Sequence, residues 1–179
     1  MNLVDRIEKL KSDKRQLWQD EIIANLPDKQ HLKILDVGCG PGFFSVILSS
    51  LGHDVIGIDL TESMIQKADE IADILDYDID FRVMNAQELD FDDEEFDVVI
   101  SRNLTWTLPD IEKAYKEWYR VLKKDGVLLN FDADYGKVSL KEEMKSLGEE
   151  HSHNMMDSSL VKECDDIKQE LEISKRRRP

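Results

Sequence analysis

Ile34-Leu35-Asp36-Val37-Gly38-Cys39-Gly40-Pro41-Gly42 is the stretch that decides the fold. An apolar run leads into a carboxylate and then into glycines at alternate positions, and a helix-like run, 43–51, follows before Gly52. Glycine is needed where backbone approaches a bound molecule more closely than a Cβ atom permits, and the start of a helix presents N–H groups that have no intrahelical partner. The stretch therefore predicts a strand, a turn and a helix arranged around a nucleotide-type ligand.

The glycine spacing separates two kinds of nucleotide site. The dinucleotide fingerprint is G-x-G-x-x-G, followed by an acid about 20 residues further on. Here Gly38, Gly40 and Gly42 give G-x-G-x-G, and Phe43 stands where the third glycine of that fingerprint would be. The chain also contains no G-x-x-x-x-G-K-[ST] sequence. A glycine-rich turn without particular chemistry is the alternative at this point.

Residues 35–42, Leu-Asp-Val-Gly-Cys-Gly-Pro-Gly, resemble the first motif of the class I S-adenosylmethionine (SAM)-dependent methyltransferases. The resemblance covers roughly residues 30–135. It implies a Rossmann-like, doubly wound α/β fold, SAM as the cofactor and S-adenosylhomocysteine as the product. The residues of this motif that it assigns to cofactor binding are Asp36, Gly38, Cys39, Gly40 and Gly42.

Length and charge limit the partners. The chain has 179 residues, which predicts one domain, and its net charge is −15, from 24 Lys and Arg against 39 Asp and Glu. Such an acidic surface repels phosphate backbones, so we expect no nucleic-acid substrate. The two cysteines, Cys39 and Cys164, predict neither a disulfide framework nor a metal site, and no apolar run reaches 18 residues. We therefore expect a cytoplasmic protein without a membrane partner.

A second apolar strand, Asp54–Asp59, ends in an acid. A carboxylate at that edge can accept two hydrogen bonds from a ribose diol, and the segment 60–62 offers no basic residue for a 2′-phosphate. An acid favoured by a helix macrodipole is the alternative interpretation of Asp59. The resemblance places Leu60 beside this acid and Met64 against the adenine ring, although core packing explains Met64 equally well.

Two further strand ends are expected to meet the cofactor. After the strand predicted at 79–84, the segment Asn85-Ala86-Gln87 resembles the family's adenine-reading segment, in which many relatives carry Asp where Asn85 stands. An amide carbonyl can also accept from the exocyclic amine. The strand predicted at 96–101 leads into Ser101 and Arg102, whose backbone carbonyls would meet the cofactor's ammonium group if the resemblance holds.

The acceptor side of the site rests on three side chains. Asn103 and Trp106 follow the fourth strand and would face the methyl group and the substrate, although sealing the core beneath the next helix is the alternative for Trp106. Apolar residues recur at helical spacing over 3–26, which predicts one N-terminal helix. Trp18 packs this helix onto the domain in one interpretation; in the other, the helix covers the SAM site and Arg15 or Trp18 reaches the methionine end.

Five short apolar strands alternate with helical runs, which predicts a mainly parallel sheet with helices on both faces. Right-handed crossovers bring the glycine turn and the later polar positions to one edge of that sheet. The expected organisation is a single domain with a helical cover over 1–30, a core sheet over 31–135 and a helical segment over 136–179. The resembled fold adds two more strands, but no strand pattern follows Asp132. We therefore expect a shortened sheet, either because the chain is truncated or because helices or a partner cover the sheet edge; a homodimer through the uncovered edge is one form of the latter.

These expectations define a SAM-dependent methyltransferase that acts on a small-molecule O, N or C acceptor. Methyl transfer depends mainly on alignment of the reactants, so the sequence designates no catalytic residue. The Asn/Asp-Pro-Pro-Tyr segment of amino-group methylases is replaced by residues 102–105, and neither cysteine lies in the Pro-Cys loop of a cytosine-C5 enzyme. The alternatives are a non-catalytic SAM- or nucleoside-binding regulatory protein and, third, a nicotinamide-dependent oxidoreductase.

Overall fold

The computed structural model describes residues 3–132. The helical segment expected over 136–179, and the expectation that no strand follows Asp132, concern residues outside this range. None of the helices within residues 3–132 is long and apolar enough to cross a membrane. The helices are α1 (Leu3–Leu10), α2 (Asp13–Asn25), α3 (Phe43–Ser50), α4 (Glu62–Leu75) and α5 (Ile111–Val121), with a 3-10 turn at Thr105–Thr107. The strands are β1 (Lys33–Val37), β2 (Asp54–Asp59), β3 (Asp80–Val83), β4 (Phe96–Arg102) and β5 (Leu122–Phe131).

The five strands form one parallel sheet in the order β3-β2-β1-β4-β5. The central strand β1 pairs with β2 on one side and with β4 on the other, so Leu35 lies beside both Ile56 and Val99. The chain winds outward from β1 in one direction through β2 and β3, and in the other through β4 and β5. This order confirms the expected doubly wound sheet and places its topological switch point between β1 and β4.

Buried side chains form a core on each face of the sheet. Ile34 belongs to the cluster that includes residues of α1 to α4, whereas its neighbour Leu35 belongs to the cluster that includes residues of α5. This alternation follows from the two-residue period of a strand. Both faces are apolar because helices cover both, which explains why the strands read as continuous apolar runs in the sequence.

The N-terminal region corrects one expectation, because the single helix predicted over 3–26 is two helices. Ser12 adopts an extended backbone (φ −91°, ψ 164°) between α1 and α2, and that conformation ends the first helix. The Arg15 N–H donates to the Ser12 carbonyl (2.9 Å) as the second helix begins. Leu10 and Ile22, one from each helix, are buried in the same core cluster, so both helices still pack on the domain.

The start of β5 corrects another boundary. In the sequence, Leu122 continues the apolar face of the preceding helix, and the segment Lys-Lys-Asp-Gly at 123–126 predicts a turn before the fifth strand. In the structure the strand already begins at Leu122. Phe96 on β4 pairs with Leu122 and Val98 pairs with Val127, so residues 123–126 lie opposite Asp97 alone. The polar, glycine-containing segment thus forms an irregularity within the strand and not a turn before it.

Candidate cofactor-binding site

The carboxyl ends of three neighbouring strands meet at the switch point. Val37 at the end of β1 pairs with Ile58 on β2 and with Ser101 on β4. The residues that follow, Asp59 and Arg102, therefore lie at the level of Gly38, where the glycine turn leaves β1. Ligands of open α/β sheets bind at this position, and a side chain projecting from here reaches them without crossing the core.

The three glycines of the turn are required for different reasons. All have a positive φ: +67° at Gly38, +53° at Gly40 and +79° at Gly42. A Cβ atom at Gly38 would lie 2.7 Å from Leu104 Cδ1, and one at Gly42 would lie 3.0 Å from Phe81 Cζ, whereas at Gly40 it would meet nothing within 4 Å. At Gly38 and Gly42, the missing Cβ atom therefore leaves space for the side chains of Leu104 and Phe81. Bare backbone facing open space at Gly40 fits a bound cofactor.

Asp59 contacts the glycine turn directly. Its Oδ2 accepts a hydrogen bond from the Gly40 N–H (3.0 Å), and its Oδ1 accepts one from the Thr61 N–H (2.8 Å). The carboxylate is half-buried, and each oxygen has a further lone pair available. The neighbouring Leu60 side chain is 70% exposed. The structure thus joins the two sequence features, the turn and the distant acid, in one place.

Asp36 lies beneath the turn and is buried, with 2% exposure. Its Oδ2 accepts a hydrogen bond from the Ser45 hydroxyl (2.6 Å) in the first turn of α3. Burial raises the pKa of this carboxyl from 3.8 to about 6, although the Ser45 hydrogen bonds and the charge of Arg102 favour its ionised form. Asp36 therefore stabilises the start of α3, which makes it a support of the predicted site.

Cys39 also belongs to the turn, and its thiol is buried. Burial, with smaller effects from Asp36 and Asp59, raises the pKa of the Cys39 thiol well above its usual range. A thiol in this state is a poor nucleophile. The Cys39 N–H donates to the Ile58 carbonyl (2.9 Å), so the residue contributes to the site by fixing the turn against β2.

The predicted adenine segment follows β3. Asn85 Oδ1 accepts a hydrogen bond from the Gln87 N–H (3.0 Å), and Gln87 Oε1 accepts one from the Asp110 N–H (2.7 Å), just before α5. Ala86 is buried, and its carbonyl accepts from Trp118 Nε1 (2.9 Å). The side-chain oxygen of Gln87 therefore holds the start of α5, while the side-chain oxygen of Asn85 keeps a second lone pair that can accept a hydrogen bond. On α4, Met64 is half-buried.

The end of β4 carries two predicted residues with different surroundings. Ser101 is fully buried, and its hydroxyl donates to Asn130 Oδ1 (2.7 Å), so its side chain is engaged within the protein. The predicted cofactor contact was assigned to its backbone carbonyl and stays a prediction. The Arg102 guanidinium lies over the rings of Trp18 (5.5 Å), Phe43 (5.0 Å) and Phe44 (4.9 Å). Trp18 thus packs α2 onto the domain and also lies next to a predicted site residue.

Arg15 does not accompany Trp18 to this edge. Its Nη2 donates to the Ser50 hydroxyl (2.8 Å), and Ser50 is the last residue of α3. The glycine turn lies at the other end of the same helix, where Phe43 and Phe44 contact the Arg102 guanidinium. Trp18 therefore lies beside a predicted site residue, whereas Arg15 lies at the opposite end of α3. Contact of either side chain with the methionine end stays a prediction.

The acceptor side is formed by the segment after β4. Asn103 is exposed, has φ +53°, and donates its N–H to the Phe131 carbonyl (3.0 Å). Trp106 is half-buried on the 3-10 turn. The side chains of this segment that pack against the core are Leu104 and Leu108. Trp106 Nε1 is itself buried, so both interpretations of Trp106, facing the acceptor and sealing the core, stay predictions.

One residue that the sequence reasoning missed holds this segment in place. Asp132 follows β5, and its carboxylate accepts hydrogen bonds from the N–H groups of Leu104 (2.9 Å) and Thr105 (3.1 Å) and from the Thr105 hydroxyl. An acid at the end of the fifth strand was the only signal. Asp132 can hold the segment after β4 because β4 and β5 are neighbours in the sheet, and the spacing of apolar residues in the sequence does not specify which strands are neighbours.

A parallel sheet of this order, with a glycine turn at the switch point and an acid at the end of β2, defines the Rossmann-like nucleotide-binding domain of the methyltransferase class. A family profile described as a methyltransferase domain matches residues 35–130, which is more than half of the chain. The chain belongs to this family, the class I SAM-dependent methyltransferases.

Several relatives share this region. The chain is 37% identical over 119 residues to the ubiquinone/menaquinone biosynthesis C-methyltransferase UbiE of Rickettsia prowazekii (62% of this chain, 48% of that protein). It is 33% identical over 99 residues to a ubiquinone biosynthesis O-methyltransferase of Pelagibacter ubique (55% and 41%). The crystal structure of a SAM-dependent methyltransferase from Methanosarcina mazei superimposes with a TM-score of 0.58 at 32% identity (69% and 62%). The chain spans about half the length of the curated relatives it matches.

Proposed function

We propose that this protein binds SAM at the carboxyl edge of its sheet and transfers the methyl group to a small-molecule O, N or C acceptor. The observation that carries the proposal is the hydrogen bond between the Gly40 N–H and the Asp59 carboxylate (3.0 Å). It fixes an acceptor group for a ribose diol beside the one glycine of the turn whose backbone faces open space. Family membership supports SAM as the molecule that fits there.

The residues of the site would divide the ligand among them. Asp59 would accept hydrogen bonds from the ribose hydroxyls, the segment 85–87 would meet the adenine ring, and the turn at Gly40 would allow close approach of backbone. When bound, SAM supplies an electrophilic methyl group on a sulfonium, which is a good leaving group. The protein's contribution is then to orient this group and the acceptor and to exclude water. Such positioning is worth about 7–11 kcal/mol in favourable intramolecular reactions.

A small molecule is the acceptor class that the surroundings favour. The net charge of −15 disfavours a nucleic-acid substrate. The relatives named for quinone biosynthesis include both an O- and a C-methyltransferase, so the relatives support a small-molecule acceptor without selecting its reacting atom. Asn103 and Trp106, on the segment held by Asp132, would line the acceptor side.

Isothermal titration of the full 179-residue chain with SAM and with S-adenosylhomocysteine tests the cofactor. Replacing Asp59 by Ala should weaken binding about 10- to 100-fold, since it removes charge-assisted hydrogen bonds to the ribose. Asp54→Ala is the matched control, because Asp54 is an exposed acid at the other end of the same strand. No binding to a well-folded wild type, or equal losses in the two variants, would refute the proposal.

Turnover separates an enzyme from a binding protein. S-adenosylhomocysteine released from SAM is measured across a panel of phenols, quinols, amines and activated carbon acids. Release that requires one member of the panel supports methyl transfer and identifies the acceptor atom. Tight SAM binding without acceptor-dependent release would favour a regulatory SAM-binding protein.

A further inference from the structure

Arg102 is held in an aromatic cage at the edge of the site. Its guanidinium lies 4.9–5.5 Å from the ring centroids of Trp18 on α2 and of Phe43 and Phe44 on α3. The rings of Trp18 and Phe44 also contact each other edge-to-face at 5.2 Å, and both contact Phe131. Contacts between a cation and several ring faces fix the plane of the guanidinium, because each ring attracts the charge to its face.

The cage satisfies the charge of Arg102 but not its hydrogen-bonding capacity. A guanidinium has five N–H donors, yet within residues 3–132 none of them donates to a protein atom or forms an ion pair. Its nitrogens are not among the buried unpartnered atoms of the described residues, so they reach solvent. Burial lowers the pKa of Arg102, while the charge of Asp36 raises it. A half-buried guanidinium with accessible donors fits a planar anion, which it can bind through two parallel hydrogen bonds.

The acid that acts on Arg102 does not fill this role. Asp36 influences the guanidinium electrostatically, but its carboxylate is buried and accepts from Ser45. Asp59, the other acid of the site, accepts from the backbone on the opposite side of β1. Among the groups of residues 3–132, none therefore occupies the donors of Arg102, and an additional carboxylate can accept from them.

We propose that the Arg102 guanidinium binds the α-carboxylate of the cofactor's amino-acid tail, an inference that rests on the proposed function. Asp59 and Arg102 lie at one level of the sheet with β1 between them, so two strand spacings, about 10 Å, separate their strands. Six bonds join the ribose ring of SAM to its carboxyl carbon, a span of about 7 Å when extended. The two side chains bridge the remainder, so a ligand held by its ribose at Asp59 brings its carboxylate to Arg102.

The cage gives this contact a selective effect. Because the guanidinium is already immobilised by three rings, binding a carboxylate requires little further ordering of the side chain. Trp18 belongs to α2, so the N-terminal helices support the tail-binding residue and do not themselves need to contact the cofactor. Arg102 would thus discriminate adenosyl ligands that carry an amino-acid tail from nucleosides that lack one.

Calorimetry with three ligands tests this inference in the full-length chain. S-adenosylhomocysteine has the carboxylate, its decarboxylated analogue keeps the amine alone, and 5′-methylthioadenosine lacks the whole tail. Arg102→Met keeps an unbranched side chain that packs against aromatic rings but removes the donors. It should weaken S-adenosylhomocysteine binding about 10- to 100-fold and change binding of the other two ligands less than about twofold. Arg102→Lys, which keeps a charge but loses the fork, should lie between wild type and Arg102→Met.

Each other result has a defined meaning. Equal losses for all three ligands in Arg102→Met would show that Arg102 acts only through packing, and unchanged S-adenosylhomocysteine binding would show that it makes no contact; both overturn the inference. If wild type binds methylthioadenosine and S-adenosylhomocysteine equally well, the tail is not recognised at all and the inference fails while the nucleoside site stands. If wild type binds none of the ligands, the proposed function fails with it.

Discussion

Replacing Asp36 by Asn should change how the stability of this protein depends on pH. Asp36 is buried under the glycine turn, and burial raises its pKa from 3.8 to about 6. Below pH 3.8 the carboxyl is protonated in both the folded and the unfolded chain. As the pH rises, the unfolded chain loses this proton first, so the stability that the protonated group contributes is lost between about pH 4 and pH 6.

The size of the effect follows from the pKa difference. The interval from 3.8 to about 6, at 1.36 kcal/mol per pKa unit, corresponds to about 3 kcal/mol. Full burial of the group means that solvent screening does not reduce this figure. The Asn side chain does not titrate, and its carbonyl can still accept from the Ser45 hydroxyl. The free energy of unfolding of the variant, minus that of wild type, should therefore rise by about 3 kcal/mol between pH 4 and pH 7.

Urea unfolding followed by tryptophan fluorescence at a series of pH values measures this difference, because Trp118 is fully buried. Asp54→Asn, at an exposed acid on β2, serves as the control for the loss of one surface carboxylate. In an Arg102→Met background the rise should extend to higher pH and become larger, since the Arg102 charge lowers the folded-state pKa of Asp36 and leaves the unfolded-state pKa unchanged. If the free energy of unfolding of Asp36→Asn, minus that of wild type, stays constant or falls as the pH rises, Asp36 does not have a raised pKa in the folded protein.

Two further predictions concern stability. In thermal unfolding, Gly38→Ala should lower the stability more than Gly52→Ala does. Both substitutions place Ala at a positive φ, which costs about 1–2 kcal/mol, but only Gly38→Ala also brings a Cβ within 2.7 Å of Leu104. Equal losses of stability in the two variants would contradict this prediction. Burial alone would raise the pKa of Asp97, but hydrogen bonds from Lys29, Lys123 and a backbone N–H outweigh this effect and lower the pKa from 3.8 to about 2. The contribution of ionised Asp97 to the free energy of unfolding should therefore fall by about 2 kcal/mol as the pH drops from 4 to 2. The Asp97→Asn variant should not show this loss when its free energy of unfolding is measured over the same pH range.

The sequence was informative where burial is continuous along the chain. The bounds of Asp54–Asp59 were predicted correctly, and the fourth strand differs by one residue, because a parallel strand covered on both faces has an uninterrupted apolar run. The sequence also predicts the start of α5, because Asp is a preferred N-cap residue. The Asp110 carboxylate accepts from the Lys113 N–H (2.9 Å), which confirms this cap. These features depend on neighbours in sequence, and local patterns report them.

Boundaries set by single backbone conformations were not readable. The apolar spacing continues from Leu10 to Leu17 as if one helix were present, and only the extended backbone of Ser12 divides it. Likewise, Lys123 and Gly126 are typical of a turn, but the pairing of β4 with β5 places them inside a strand. In both places tertiary packing decides between conformations that the local sequence allows.

Arg102 shows why side-chain roles at the site require the fold. The sequence places it at the end of β4, which brings its backbone to the switch point, but Trp18 lies 84 positions earlier and Phe43 and Phe44 lie on another helix. Only the packing of α2 and α3 against the same sheet edge brings these rings around one guanidinium. Once they are there, a charge beside a buried carboxyl is stabilised without hydrogen bonds, and its donors stay available. An anionic group on the ligand is the chemistry that such an arrangement accommodates, because it satisfies the donors and the charge together.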